Sequence, residues 1–409
     1  MLFFIYSFRG ISSSLEIPHL YNTILLINFV NIFIYIVIEI KRIFSNSLLL
    51  MIAIFSFFAG AGFLDLGFEN TNHEIVFVNE YKKSFLETYK YSRNILSLNK
   101  PRFGYSSDDI SVFLKSENLN TIIIQIQELR REGYTIGIIG GPPCPDFSVG
   151  GKNKGRHGDN GQLTEIYFRL IASLQPDFFL FENVKGLFKT KRHRAFYDEM
   201  KGYINYNGYK TYDKLINTLV FGVPQDRERI FMIGFSNDFL NGRNFVFQFN
   251  ERYNINYIKE KDWPDTDDFV ENGELEMPEN IIPELTVNFW FNINNVREHP
   301  NASNYFHPRN GLAKFLTIRE GDVLKKSYKR LHRWRYSPTV AYGNNEVHLH
   351  PFHARRLSVA EALSLQTLPP NFSFPSKTSL TDMFKMIGNG VPYVASLNIA
   401  SLIRNFIIN

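Results

Sequence analysis

The only cysteine of the chain, Cys144, lies in a segment that could present a nucleophile. Residues 140–148 read GGPPCPDFS and directly follow an apolar run at 136–139. Glycine permits backbone angles that other residues avoid and proline fixes its own φ, so the thiol would be held at a defined point. A free cysteine is also often a small, inert core residue. The segment therefore predicts either a nucleophilic thiol at the end of a strand or a buried cysteine in a tight turn.

A glycine-rich turn near residue 60 could bind a ligand through its backbone. Residues 55–62 read FSFFAGAG and follow an apolar run that opens at Met51. A turn of this kind between a strand and a helix lets a ligand approach the helix N-terminus closely. Glu80 follows at about the spacing of an acid that binds ribose hydroxyls, although the third glycine, Gly67, comes too late for the dinucleotide fingerprint. The alternative is a packing turn with a surface glutamate.

Two further acids stand where predicted strands end. Residues 178–184 read FFLFENV and place Glu182 at the carboxyl end of a hydrophobic strand, the end at which open parallel sheets bind ligands. Burial there would raise the pKa of Glu182 towards neutrality, whereas an ion pair with Lys185 is the structural alternative. Asp109 ends a short third strand, where it could bind an adenine amino group or cap a helix.

Composition is that of a globular protein with a basic balance. The chain has 409 residues and a formal net charge of +5, and its sequence pI is about 9.0. This balance leans towards a polyanionic partner. A single cysteine rules out a disulfide framework and a four-thiolate zinc site, and it fits a reducing compartment such as the cytoplasm.

The elements that must position these residues alternate along the chain. Near-continuous apolar strands separated by helices predict an α/β fold with a mostly parallel sheet covered on both faces. The predicted strands are 51–57, 74–78, 135–139, 177–181, 209–217 and 229–234, and the predicted helices are 82–91, 111–132, 162–174, 193–205, 355–368 and 391–406. Residues 236–335 lack this alternation and are predicted to be an inserted second domain.

Six short motifs in a fixed order resemble the DNA methyltransferases that modify carbon 5 of cytosine. They are FAGAG at 58–62, PPC at 142–144, ENV at 182–184, QDRER at 225–229, a block from RRLS at 355–358 to Leu368-Pro369, and GNGVP at 388–392. The resemblance implies a Rossmann-like S-adenosylmethionine-dependent methyltransferase fold. It divides the chain into a catalytic domain at 51–235, a target-recognition domain at 236–335 and a return to the catalytic domain at 336–409.

The resemblance also implies a catalytic mechanism. Carbon 5 of cytosine is a poor nucleophile, and attack of the Cys144 thiolate on carbon 6 would activate it. Glu182 would hydrogen-bond or protonate ring nitrogen 3, while Arg227 and Arg229, two residues apart on one strand, would support Glu182 and a flipped base.

The cofactor implied by the resemblance is S-adenosyl-L-methionine. The residues expected to bind it are Phe58, Ala59, Gly60, Gly62, Glu80, Tyr81, Asp109, Ile110, Pro142, Asn389 and Val391. Among them, Glu80 would hold the ribose hydroxyls, Asp109 the adenine amino group, and Tyr81 would pack on the adenine ring.

Double-stranded DNA is the implied partner, with the target cytosine flipped out of the helix. A basic, glycine-rich segment at 149–158 suits a mobile loop closing on DNA, and 325–335 interleaves basic and aromatic residues. Predicted DNA contacts are Ser148, Lys152, Lys154, Arg156, Arg330, Arg333 and Arg335. An ordinary solvated surface is the alternative for both segments. The compact architecture suggests a monomeric restriction–modification enzyme, associated with the nucleoid through DNA and with a possible cognate endonuclease acting separately.

Alternatives remain for the N-terminus and for the activity. The apolar residues 20–40 within the extension 1–50 could be a dispensable extension, a membrane or interfacial segment, or a buried helix. A related branch that methylates cytosine in tRNA shares these motifs, and a catalytically silent DNA-binding protein on the same scaffold is a third interpretation.

Overall fold

The computed structural model describes residues 51–143, 159–249, 251–308, 311–325, 327–340 and 347–409. Its strands are β1 (Ile52–Phe57), β2 (Glu74–Asn79), β3 (Tyr105–Ser106), β4 (Thr135–Gly140), β5 (Phe178–Val184), β6 (Tyr209–Asn217), β7 (Gln225–Asp226), β8 (Glu228–Ser236), β9 (Lys329–Arg330), β10 (Ser337–Pro338) and β11 (His348–Leu349). Its α-helices are α1 (Phe63–Glu69), α2 (Lys83–Ile95), α3 (Ser116–Arg131), α4 (Asp159–Leu174), α5 (Lys185–Lys189), α6 (Lys191–Tyr206), α7 (Asn237–Leu240), α8 (Ile255–Glu260), α9 (Val287–Ile293), α10 (Leu312–Leu316), α11 (Val359–Leu365), α12 (Leu380–Asn389) and α13 (Tyr393–Ile408).

A mostly parallel sheet forms the centre of the described fold. Seven of the described strands join it in the order β3-β2-β1-β4-β5-β8-β6. β3, β2, β1, β4 and β5 run parallel, whereas β8 is antiparallel to both β5 and β6. All six side chains of β1 are buried, as expected of a strand whose two faces are both covered. The predicted α/β fold with a mostly parallel sheet is confirmed.

Helices cover the sheet, and two of them bring the beginning and the end of the described chain together. The largest apolar cluster packs the strands against α3, α4 and α6. On another side, α1 and α13 approach so closely that a side chain at Gly67 would lie 2.2 Å from Ser396 Oγ. Ser396 Oγ also donates a hydrogen bond to the Leu64 carbonyl. The C-terminal helix therefore packs directly against the helix that follows the glycine turn.

Several predicted helix limits are wrong. The stretch 111–132, predicted to be mostly helical, is so, as a 3₁₀ turn, Ile110–Leu114, followed by α3. The predicted helix 355–368 is only α11, because Ser358 and Glu361 form a capping box that starts it at residue 359. The helix expected after the glycine turn is α1, whereas α12 was not predicted.

The described part of 236–335 contains short elements and small apolar clusters. Its α-helices are α7 to α10, and its one described strand, β9, pairs with β11 from beyond residue 335. Separate clusters form around Trp263 and Leu285 and around Phe315 and Leu349. The domain limits themselves remain a prediction.

A helix that crosses a bilayer must be both long enough and apolar enough. Within the described ranges no single helix meets both requirements, and one bent pair, α12 with α13, meets them jointly at an angle of 41°.

Candidate active site

The carboxyl ends of three adjacent strands bring the predicted site residues to one edge of the sheet. Phe57 on β1 lies opposite Gly140 on β4, and Gly140 lies opposite Phe181 on β5. The residues that follow each strand are therefore neighbours. They are the glycine turn after β1, the segment leading to Cys144 after β4, and Glu182 on β5. Ligands of open α/β sheets bind at this edge.

The glycine turn uses backbone angles that favour glycine. Gly60 has φ +59° and Gly62 has φ +78°, and Phe58 adopts φ 55° despite its side chain. A non-glycine residue with positive φ is uncommon and tends to occur at functional sites. A methyl group at Gly60 would meet no atom within 4 Å, so this face of the turn is open to a ligand.

Glu80 lies directly beside that open turn. Its Oε2 accepts a hydrogen bond from the Gly60 N–H at 2.8 Å, and its Oε1 accepts one from the Lys82 N–H at 2.9 Å. Burial raises the pKa of Glu80, and these two backbone donors oppose the shift. The predicted pairing of a glycine turn with an acid is present, and the carboxylate stands where a ligand on the turn could reach it.

The other predicted cofactor residues differ in their exposure. Tyr81 is 69% exposed, and Asn389 is exposed at the end of α12. Asp109 is half-buried and caps the 3₁₀ turn, accepting a hydrogen bond from the Ser111 N–H at 2.9 Å. Its capping role, which the sequence left open, is observed. Ala59 is half-buried, and its N–H donates to the Asn79 carbonyl.

Three predicted cofactor residues have buried side chains. Ile110 is 2% exposed and packs in the main core, and Val391 is 5% exposed. Pro142 is buried, and its carbonyl accepts a hydrogen bond from Asn183 Nδ2 at 3.3 Å. These side chains have little accessible surface in this structure, and their contacts with the cofactor remain a prediction.

Glu182 is buried with one oxygen facing a cation. Its Oε1 lies 3.2 Å from Arg229 Nε, and both side chains are largely shielded from solvent. Arg229 pairs with Val184 across β5 and β8, so its side chain is the diagonal neighbour of Glu182 on one face. Burial raises the pKa of Glu182, while Arg229 and then Arg227 oppose the rise. Such a carboxyl can hold a proton at higher pH than a free glutamate.

Arg227 is fully buried and holds the C-terminal motif. Its Nη2 donates to the carbonyls of Gly388 at 3.1 Å and Gly390 at 2.9 Å, and its Nη1 donates to that of Val340 at 3.2 Å. It lies between β7 and β8. Its charge acts on Glu182, but its hydrogen bonds go to backbone oxygens. Arg227 is placed to position residues 388–390, and Arg229 is the arginine that contacts Glu182.

Two buried amides that were not singled out from the sequence complete this network. Gln225 donates to the Leu365 carbonyl and accepts from the Val340 N–H. Gln366 donates to the carbonyls of Ile387 and Gly390. Gln225 belongs to the QDRER motif and Gln366 lies two residues before Leu368-Pro369, so their place in the motifs was the available signal.

The predicted nucleophile and the loop after it lie outside the described residues. These are Cys144, Ser148, Lys152, Lys154 and Arg156. Pro143 is the last described residue before Cys144. Their predicted roles remain proposals.

Two of the predicted DNA contacts are corrected by the structure. Arg330 is fully buried, and its guanidinium donates to five backbone carbonyls, those of Phe315, Ile318, His350, Pro351 and His353. Arg333 is 7% exposed and makes a bidentate pair with Glu320. Both guanidinium groups are occupied inside the protein and are unavailable to a phosphate. Arg335 is half-buried and stays a predicted DNA contact.

The fold and the site together define a class of enzyme. A sheet of this order, with a glycine turn and an acid after its first two strands, has the fold of the S-adenosylmethionine-dependent methyltransferases. Residues 52–405 match the family described as C-5 cytosine-specific DNA methylase, and the chain belongs to that family. The predicted family and the predicted enzyme class, a DNA cytosine-5 methyltransferase, are confirmed. The family favours DNA over the tRNA interpretation and an enzyme over a silent binding protein.

Relatives of known name extend over most of the chain. It is 51% identical over 356 residues to the Type II methyltransferase M.NmeDI of Neisseria meningitidis serogroup C, covering 87% of this chain and 84% of that protein. It is 32% identical over 374 residues to the Type II methyltransferase M.FnuDI of Fusobacterium nucleatum, covering 85% and 93%.

A solved structure supports the fold. The Dnmt2 methyltransferase of S. pombe aligns with a TM-score of 0.54 at 14% identity, covering 87% of this chain and 99% of that one. At this identity the likeness concerns the fold alone.

Proposed function

We propose that this enzyme transfers a methyl group to carbon 5 of a cytosine flipped out of duplex DNA, through a transient bond between Cys144 and carbon 6. The observation that carries the proposal is the placement of Glu182. Its buried carboxyl lies at the end of β5 beside Arg229 and against Gly141, three residues before Cys144. The reaction requires a nucleophilic thiol, that of Cys144, and a carboxyl of raised pKa, that of Glu182.

The covalent step begins and ends with the free Cys144 thiolate. The Cys144 thiolate bonds to carbon 6, and the electron pair of the 5,6 double bond becomes available at carbon 5. S-adenosyl-L-methionine, when bound, supplies the methyl carbon, which takes this pair as its bond to sulfur breaks. Loss of the carbon 5 proton to solvent returns the pair to the ring and expels the thiolate, which restores Cys144.

Glu182 acts on the ring nitrogen that receives charge during attack. Thiolate addition pushes electron density towards nitrogen 3, and a protonated carboxyl can donate its proton there. The raised pKa of Glu182 keeps a larger protonated fraction at neutral pH. Arg229 holds the carboxyl in place and limits the rise of its pKa. The proton returns to Glu182 when the thiolate leaves.

The cofactor site is proposed at the glycine turn. The open face of Gly60 allows close approach of a ligand, and Glu80 beside it offers two oxygens to the ribose hydroxyls. Tyr81 and Asn389 are exposed, and both are proposed to contact the adenosyl group. The residues present therefore fit S-adenosyl-L-methionine.

The biological setting follows from the named relatives. M.NmeDI and M.FnuDI are Type II methyltransferases, so we propose that this enzyme protects DNA within a Type II restriction–modification system. It would act as a cytoplasmic monomer on duplex DNA, beside a separate cognate endonuclease. A tritiated methyl donor offered with duplex DNA, single-stranded DNA or tRNA would measure the substrate class, and bisulfite sequencing would identify the target site.

Residues 1–50 are proposed to be dispensable for methylation. The family match begins at residue 52, and β1 starts there as well. A chain starting at Met51 should methylate DNA at the rate of the full chain. If only the full chain is active, or only in the presence of membranes, residues 1–50 belong to the working enzyme.

Trapping tests the covalent step without knowledge of the target sequence. A pool of duplexes carrying 5-fluoro-2′-deoxycytidine holds fluorine where the proton must leave, so the adduct cannot resolve. With S-adenosyl-L-methionine present, the native enzyme should form a denaturation-resistant adduct that mass spectrometry places on Cys144. Cys144→Ser should form none while still binding DNA. An adduct of the same yield in Cys144→Ser, or none in the native enzyme, overturns the proposal.

A further inference from the structure

A buried arginine lies beneath the glycine turn. Arg93 on α2 is 2% exposed, and its Nη1 and Nη2 donate to the carbonyls of Ala61 at 3.1 Å and Gly62 at 2.6 Å. One guanidinium therefore holds two consecutive carbonyls of the turn. No step of the proposed methyl transfer uses this residue.

The surroundings of Arg93 fix the orientation of its guanidinium. Glu69 at the end of α1 accepts from Nε at 3.3 Å and from Nη2 at 2.8 Å. The guanidinium carbon lies 4.0 Å from the centre of the Tyr89 ring. An ion pair on one edge, an aromatic face below and a hydrogen bond from Nη1 to Ser92 Oγ at 3.2 Å fix the orientation of the planar group. In this orientation Nη1 and Nη2 also reach the turn.

The turn and the arginine are matched in space. A methyl group at Gly62 would lie 2.3 Å from Arg93 Nη1 and 2.5 Å from the Tyr89 ring. The inner face of the turn is thus filled by Arg93, whereas its outer face at Gly60 is open. Because two carbonyls are drawn inward, the turn keeps the conformation in which the Gly60 N–H points at Glu80.

We infer that Arg93 is a positioning residue for the cofactor, which sets the shape of the glycine turn from the side opposite the ligand. This inference rests on the proposed cofactor site at Gly60 and Glu80. Lysine cannot replace the arginine, because an ammonium lacks the planar fork that reaches two carbonyls and a carboxylate at once. The role predicts an effect on cofactor affinity that a purely structural role would not produce.

Calorimetric titration with S-adenosyl-L-methionine and with S-adenosyl-L-homocysteine tests the inference on the full chain. Arg93→Lys should raise the dissociation constant of both by on the order of tenfold or more, as expected when a charged hydrogen bond is lost. Its kcat at saturating cofactor should stay within about twofold of native, since the reacting groups are untouched.

Glu69→Gln is the matched control. It removes the charge of the buried ion pair, so it should lower the melting temperature. The amide oxygen can still accept from Arg93 and hold its orientation, so cofactor affinity should be preserved. If Arg93→Lys does not fold, Tyr89→Leu removes the ring beneath the guanidinium and should shift the affinity in the same direction.

Glu80→Gln separates failure of this inference from failure of the proposed cofactor site. Native affinity in Arg93→Lys together with weak binding in Glu80→Gln overturns the inference and leaves the site standing. Native affinity in both variants overturns the site as well.

Discussion

A side chain at position 141 would collide with Glu182. The methyl carbon of an alanine there would lie 2.9 Å from Glu182 Oε2, closer than such contacts occur in proteins. Gly141 is not among the residues with positive φ, so close approach, and not backbone conformation, is what requires glycine. The carboxyl is thus confined between the backbone that leads to Cys144 on one side and Arg229 on the other.

Gly141→Ala should therefore reduce catalysis without unfolding the protein. The added methyl group must displace the carboxyl, and a misplacement of about 1 Å can cost on the order of a hundredfold in rate. Single-turnover methylation would measure the loss. Gly202→Ala is the control, because a methyl group on that helical residue meets nothing within 4 Å and should leave the rate unchanged. Equal rates in the two variants would contradict the confinement of Glu182.

The rate should fall at alkaline pH as Glu182 loses its proton. Burial raises the pKa of Glu182 above that of a free glutamate, so the protonated fraction persists at higher pH and then declines. Glu182→Gln cannot titrate, and its rate should be about 10²- to 10⁴-fold lower. Its pH–rate profile should also lack the alkaline limb, which is the fall in rate at high pH. Glu228→Gln removes a more exposed carboxylate nearby and should keep the native profile. An unchanged alkaline limb in Glu182→Gln would assign that limb to another group.

Removal of Arg229 should move the same limb to higher pH. The guanidinium lowers the pKa of Glu182, so Arg229→Met allows a further rise. Arg227→Met should act mainly on stability, since it leaves the Gly388 carbonyl without the arginine donor and the Gly390 carbonyl with Gln366 alone. pH–rate profiles and thermal melts of both variants would separate the two effects. A limb that moves to lower pH in Arg229→Met would refute the electrostatic assignment.

Arg335 and Arg330 should differ in their effect on DNA binding. Arg335 is half-buried, and Arg335→Ala should reduce the slope of log affinity against log salt by about 1 if it contacts a phosphate. Arg330→Met should leave that slope unchanged and lower the melting temperature, because it removes donors from buried carbonyls. A changed salt slope in Arg330→Met would show that its buried contacts open on DNA.

The sequence predicts those parts of the site that depend on neighbours along one strand. Glu182 at the end of an apolar strand and Glu80 beside the glycine turn lie where the pattern placed them, because parallel strands end at one edge of the sheet. Arg330 and Arg333 were misjudged, because their acceptors come from residues far along the chain, such as Glu320 and His350. A pattern of charged residues identifies the arginines, but it does not reveal the acceptors that they contact in the folded protein.

Asp65 should make the protein less stable as pH rises from about 4 to about 6. It is buried on α1, where Ser56 Oγ and Tyr89 Oη each donate to it at 2.9 Å, and burial raises its pKa to about 6. The unfolded chain has a pKa of about 3.9 for this group, so between these values the folded state holds a proton that the unfolded state has lost. The contribution of Asp65 to stability is greatest below about pH 4. The loss reaches about 3 kcal/mol above about pH 6, since a pKa difference of 1 between the folded and unfolded states corresponds to about 1.4 kcal/mol.

Asp65→Asn removes this dependence, because an amide cannot ionise. The difference in free energy of unfolding, Asp65→Asn minus native, should therefore rise between about pH 4.5 and about pH 7.5. Urea titration of both proteins at each pH would measure it. Asp198→Asn, at a half-exposed carboxylate on α6, should run parallel to native over the same range. If Asp65→Asn also runs parallel to native, Asp65 is ionised throughout and its charge is compensated by Arg93, the cation that opposes the rise of its pKa.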